Sequence, residues 1–214
     1  MGSLTHRSTD YIGSSIGNIA GAEAQRELNR KREYRQTLAE KALQIMNVVA
    51  RPEAVSTTAL IAKMGIPRDV FKHLYAGLDD FQDDMIESGW KDLLRELRLV
   101  ATTTSGREGL DAIILTYRNY VKENKGSYYV SVCQGRDASV GRKYASRLCR
   151  LLHIVLASCD LGHADLHRSA ENLAEVLHGL AVMEITGETY GEVDTTITHI
   201  IRVYLNDLFN RYTP

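Results

Sequence analysis

The chain reads as an all-α protein. Apolar residues recur at intervals of three and four along most of its 214 residues, strand-type alternation is scarce, and only three prolines interrupt it. That length holds one large domain or two small ones sharing a boundary helix. The net charge of -1 averages over segments of very different sign.

Taken in order, Met1 to about Glu23 carries Gly2, Gly13, Gly17 and Gly21 among serines, and gains too little on burial to offset backbone ordering. A flexible arm over residues 1–25 is expected. Arg26, Arg30, Lys31, Arg32 and Arg35 then lead into a helix over about 36–49, whose Leu38, Ala42, Ile45, Met46 and Val49 share one face. Pro52 stops simple continuation. Ser56 or Thr57 is placed to cap a short helix, Thr58 to Met64, with Gly65 supplying a left-handed turn after it. Pro67 suits the first turn of a third helix reaching Tyr75. Two short helices joined by a few residues that include glycine have the physical content of a helix-turn-helix.

Asp79 and Asp80 suit the positive end of a longer helix over about 79–99, with Phe81, Met85, Trp90, Leu93, Leu94 and Leu97 on its apolar side. A helix over about 108–123 follows. Residues 124–135 contain Tyr128, Tyr129, Val130 and Val132, which score as strand in isolation; with no partner strand in view, a short helix or irregular link is expected. Helices over about 138–158, 166–186 and 193–210 complete the chain. The last is more apolar than a monomer's surface helix needs, so burial against another chain is expected.

Cys133, Cys149 and Cys159 form no C-x-x-C pair and no even set, as reduced thiols in the cytoplasm would. No secretory apolar core stands near the N-terminus, and no run reaches the roughly 18 to 20 apolar residues that a bilayer requires. Between Arg26 and Tyr75 ten Lys or Arg face five Asp or Glu, whereas Asp79 to Arg98 holds seven acids and three bases. Such separation matters because a local positive field attracts a polyphosphate.

The residues from Leu38 to Phe81 resemble the N-terminal domain of the tetracycline-repressor-like (TetR/AcrR) family, through Thr58, Ile61, Ala62, Gly65 and Ile66 and, more loosely, Tyr75 and Phe81. The chain departs from the family pattern at Val70, Phe71 and Lys72, where a Thr-Leu-Tyr run is usual, and at Leu78 in place of a lysine; Asp69 adds a negative charge. The resemblance implies a DNA-binding domain over 26–80 and an effector-binding and dimerisation domain over 81–214. Leu177, His178, Gly179 and Leu180 also resemble a His-Gly segment of one subgroup, with Ala174 near the place of its upstream tryptophan. It further implies a homodimer formed through the last two helices.

Arg68 is the candidate base reader, since its fork matches guanine in the major groove, followed by Lys72 and His73. Thr57, Thr58, Lys63, Arg35 and Lys31 are candidate phosphate contacts on a double-stranded operator. Tyr117, Tyr120, Tyr128, Tyr129, Tyr144, His153 and His178, with Cys133 and Cys149, are the polar and aromatic side chains able to line a pocket for a small amphipathic or aromatic effector. For any one of them, a satisfied core position explains the residue equally well. His163 and His167 stand four apart with Asp160 and Asp165 nearby, but the segment reads equally as a polar link and helix cap, so no metal is expected. No phosphate-binding glycine loop, nucleophile elbow or paired carboxylates suggest an enzyme. A ligand-responsive repressor and a dimeric binding module of the same fold with weak or no DNA binding both remain open.

Overall fold

A computed structural model describes residues 9–161, 165–187 and 192–212, with side chains from residue 22 to 210. Among these residues the architecture is all-α. Helix α1 spans Thr9–Asn47, and a 3-10 turn covers Pro52–Ala54. Helices α2 (Thr57–Met64), α3 (Arg68–Leu74), α4 (Leu78–Thr103) and α5 (Gly106–Glu123) follow. The short α6 (Lys125–Tyr128) runs into a π-helical turn, Tyr129–Gln134, and a 3-10 turn, Gly135–Asp137. Helices α7 (Ser139–Ala157), α8 (Leu166–Thr186) and α9 (Val193–Tyr212) complete the described chain.

The local signals for the first turns act as expected. Ser56 Oγ accepts the Ala59 N–H at 3.2 Å, and Gly65 takes φ 66°, a left-handed conformation that costs glycine no Cβ clash. Pro67, at φ -59°, precedes α3. Helix α1 departs from expectation: the helix expected over 36–49 begins at Thr9, so the stretch expected as an arm is helical from that residue onward. Composition weighs burial but overlooks local pairing. From the end of the expected arm to the expected helix start at 36, Gln25 donates to Asn29 at 3.0 Å and Arg30 lies 3.8 Å from Glu27, both at helical spacing.

Two apolar clusters meet along α4. The smaller joins Leu38, Ala42, Leu43 and Met46 of α1 to Leu60, Leu74, Phe81 and Met85. The larger packs Trp90, Leu93, Leu94 and Leu97 against α5, α7 and α8. Val130, from the π-helical turn, is buried in the smaller cluster, so the two halves interlock instead of meeting at a flat boundary. This segment forms no strand. Its Tyr128, Val130 and Val132 find burial on helices already present, and Gly126 and Gly135 let its backbone approach α1 and α4 closely.

The apolar surplus of α9 is largely absorbed within the chain. Ile197, Leu205 and Leu208 are buried, and Ile201, Tyr204 and Phe209 pack on the larger core, which leaves Val203 exposed and Ile200 half-buried. Among the described residues no helix is long and apolar enough to cross a membrane.

Candidate nucleic-acid interface and effector core

Helix α3 is only seven residues long, too short to be stable alone, so its neighbours must hold it. Leu74 and Tyr75 are buried beneath it. The Phe71 ring stacks on Tyr75 at 5.1 Å and meets Phe81 of α4 edge-on at 5.9 Å, while Tyr75 meets Phe81 at 5.1 Å. With its apolar side tied down, α3 turns Arg68, Asp69, Lys72 and His73 to solvent. Thr58 and Lys63 of α2 are exposed on the same module and Thr57 is half-buried. Lys31 is half-buried beside α3, where α1 and α3 border a groove of about 470 Å³ lined by Arg30, Lys31, Tyr34, Asp69 and His73. The structure therefore brings Arg68, Lys72, His73, Thr58 and Lys63 to the surface of one small helical unit, with Lys31 at its flank.

Arg35 is otherwise engaged. Its guanidinium reaches Asp80 at 2.5 Å and Asp84 at 2.7 Å, and only 23% of its side chain is exposed. A phosphate contact by Arg35 would have to displace two carboxylates. Asp84 first, then Asp80, raises the guanidinium's affinity for its proton. Burial pushes the Asp80 carboxyl upward, but the Ala76 N–H and Arg35 together hold it below the usual carboxylate range.

The larger half was expected to hold a small-molecule pocket. The seam between α5, α8 and α9, lined by Ile114, Tyr117, Leu177, Leu180 and Ile197, leaves about 10 Å³. A drug-sized ligand needs about 300 Å³ or more. The tyrosines satisfy one another and their neighbours instead. Tyr117 and Tyr128 hydroxyls lie 2.8 Å apart, and the Tyr128 hydroxyl lies 2.9 Å from His178 Nδ1, a polar chain crossing α5, α6 and α8. Tyr120 donates to the Gly89 carbonyl at 3.2 Å, and Tyr144 to Glu87 Oε1 at 2.8 Å. Tyr129 and His153 are half-buried and lie outside that chain. Burial, and then the nearby Arg136, keeps His178 below its ordinary pKa of 6.5, and burial pushes the Cys133 thiol up to about 11.

No group of three or more His, Cys, Asp and Glu able to hold a metal ion occurs among the described residues. His163 lies outside them. His167 pairs with Glu171 at 3.4 Å, and Asp165 caps α8 by accepting the Arg168 N–H at 3.1 Å.

Sequence reasoning missed the junction between the two halves. Asn47, the last residue of α1, accepts the Ser127 N–H at 2.7 Å and donates to Asn124 Oδ1 at 3.2 Å. Gly126 between those partners was the available signal, since a glycine inside a helical segment marks close backbone approach.

No family model and no curated protein sequence matches the chain. Solved structures do. A protein from Pseudomonas aeruginosa PAO1, described as a "putative transcriptional regulator", shares 19% identity over 85% of this chain and 95% of its own, with a TM-score of 0.64. A Rhodococcus sp. RHA1 protein of unknown function shares 17% over 81% and 94%, with a TM-score of 0.61. The chain has their fold. A transcriptional regulator of the TetR/AcrR family from Thermobifida fusca aligns more loosely, at 16% identity over 83% of this chain and 97% of its own, TM-score 0.49.

Proposed function

We propose that this chain is a ligand-responsive transcriptional repressor that binds a palindromic DNA operator as a homodimer and is released by a small amphipathic or aromatic molecule. The observation that carries this reading is the short α3, anchored by its aromatic side, which presents Arg68, Lys72 and His73 outward with no ion-pair partner among the described residues. Arg68 reads a base edge; Lys63, Thr57, Thr58 and Lys31 hold phosphates on either side. Fold similarity to the Pseudomonas protein supports the same reading. Two such heads spaced one helical turn apart require a twofold partner, and the outer sides of α8 and α9, with Ile200 and Val203, are where the partner would pack. The effector enters by parting α5 from α8 along the Tyr117–Tyr128–His178 chain, so it must bind the opened form better than the closed one. A cytoplasmic location fits this role.

Asp69 favours a second reading, a dimeric binding module of this fold with weak or no DNA affinity, because it sets a negative charge on the face that would meet phosphates. Selection from a random duplex pool, followed by titration at several salt concentrations, separates the two. The repressor retrieves an inverted repeat and loses affinity steeply with salt; recovery of no preferred duplex overturns it. On the retrieved operator, Arg68→Ala relaxes discrimination at one base position by about 1–3 kcal/mol, whereas Lys63→Ala weakens operator and random duplex alike.

A further inference from the structure

The Arg35 side chain stands where α1, the end of α3 and the start of α4 meet. Nε donates to Asp84 Oδ2 at 2.7 Å, and Nη2 donates to Asp84 Oδ1 at 3.0 Å and Asp80 Oδ1 at 2.5 Å. Nη1 donates to Asp80 Oδ2 at 3.2 Å and reaches the Leu74 carbonyl at 3.5 Å. The guanidinium also lies over the Tyr75 ring, 4.6 Å from its centroid, and the Tyr75 hydroxyl donates back to the Arg35 carbonyl at 3.3 Å. Asp80 closes the circuit by accepting the Ala76 N–H at 3.0 Å. Leu74 is the last residue of α3, so the contacts at Leu74, Tyr75 and Ala76 bear on where that helix ends, while the bonds to Asp80 and Asp84 tie α1 to α4.

We propose that Arg35 is a positioning residue for α3: it fixes the angle at which Arg68, Lys72 and His73 are presented, and so sets discrimination between duplex sequences without touching DNA. This rests on the DNA-binding reading above. The aromatic contacts of Phe71, Tyr75 and Phe81 hold α3 down on α4, but none of them reaches α1, so they do not fix the angle of α3 against that helix. A planar fork shared between two carboxylates is directional, and a lysine's single ammonium cannot reproduce it. Base reading tolerates only about 0.5 Å and 10–20° of misplacement, so loss of direction affects specific binding first.

The experiment compares wild type, Arg35→Lys, Asp80→Asn and Asp84→Asn on the selected operator and on random duplex, across a salt series, with helical content checked by circular dichroism. Arg35→Lys keeps the charge and lowers operator affinity at least ten-fold, while random-duplex affinity and the salt slope stay as in wild type. The two Asp→Asn variants give the sharper test, because each makes the head more positive. An effect through general charge tightens binding to every duplex; an effect through position weakens operator preference. Operator preference unchanged in all three variants overturns the proposal. So does parallel loss on both duplexes by Arg35→Lys, because a changed presentation angle weakens the operator first. If one variant fails to fold, the remaining ones decide. Absence of any selected duplex for wild type removes the DNA-binding reading itself, an outcome distinct from operator binding that ignores Arg35.

Discussion

Replacing Gly126 by alanine tests whether the junction between the two halves is as tight as its geometry indicates. A Cβ there would fall within the envelope of the Met46 carbonyl and 2.7 Å from the Asn47 nitrogen. Both obstacles are backbone at the end of α1, so neither can rotate away. Overpacking of this kind costs about 1–3 kcal/mol, and rigid neighbours on each side put the expected value at the upper end. Relief by sliding α6 outward would stretch the Asn47 bonds to Ser127 and Asn124, at about 1 kcal/mol each. A net loss of about 3 kcal/mol lowers the melting temperature of a chain of this size by about 6–12 °C. Thermal unfolding followed by circular dichroism reads that shift. Gly89→Ala supplies the internal comparison. Its nearest obstacle is the Ser131 hydroxyl, with Ser131 Cβ at 3.0 Å, so trimming that residue by Ser131→Ala recovers part of the loss. No neighbouring side chain can be trimmed to rescue Gly126→Ala. A melting temperature within about 1 °C of wild type for Gly126→Ala would refute the reasoning.

Burial, and then Arg136, hold folded His178 below its ordinary pKa, while the unfolded chain takes a proton near 6.5. Unfolding therefore gains a proton as pH falls through that value, and stability present above about pH 6.5 is progressively lost below it. His178→Asn keeps a hydrogen-bonding group beside Tyr128 but cannot titrate, so its stability should fall less between about pH 7 and pH 5 in urea titrations; equal falls would contradict this. Arg118 and Glu184 form an ion pair with side chains 18% and 10% exposed, and Arg118→Ala should cost about 1.5–3 kcal/mol, because Lys122, 3.7 Å from Glu184, then compensates the carboxylate alone. Arg136→Ala breaks a pair whose side chains are 51% and 64% exposed and should cost less than about 1 kcal/mol; the reverse order of urea midpoints would contradict the burial argument.

What was legible in the chain was local. Ser56, Gly65 and Pro67 act through neighbours one to four residues away, so α2 and α3 stand almost where those residues place them, and the outward set Arg68, Lys72 and His73 follows from Leu74 and Phe71 facing in. What was not legible depends on partners far along the chain. A tyrosine awaiting a ligand and a tyrosine already bonded to another are the same letter, and only the fold brings Tyr117, Tyr128 and His178 into contact. Arg35 shows the same limit for charge. Its excess over the N-terminal acids is cancelled by Asp80 and Asp84, which belong by sequence to the acidic stretch assigned elsewhere. The field at the proposed DNA-binding head is therefore weaker by the charge of Arg35 than the count from Arg26 to Tyr75 suggests, while Lys63, Arg68 and Lys72, with Lys31 beside them, have no ion-pair partner among the described residues. The head's general attraction to phosphate supplies affinity and its salt dependence, but no preference among sequences. On the proposed reading, preference for one duplex over another comes from where those groups are held, so the carboxylates that engage Arg35 would bear on recognition alongside the residues that face the groove.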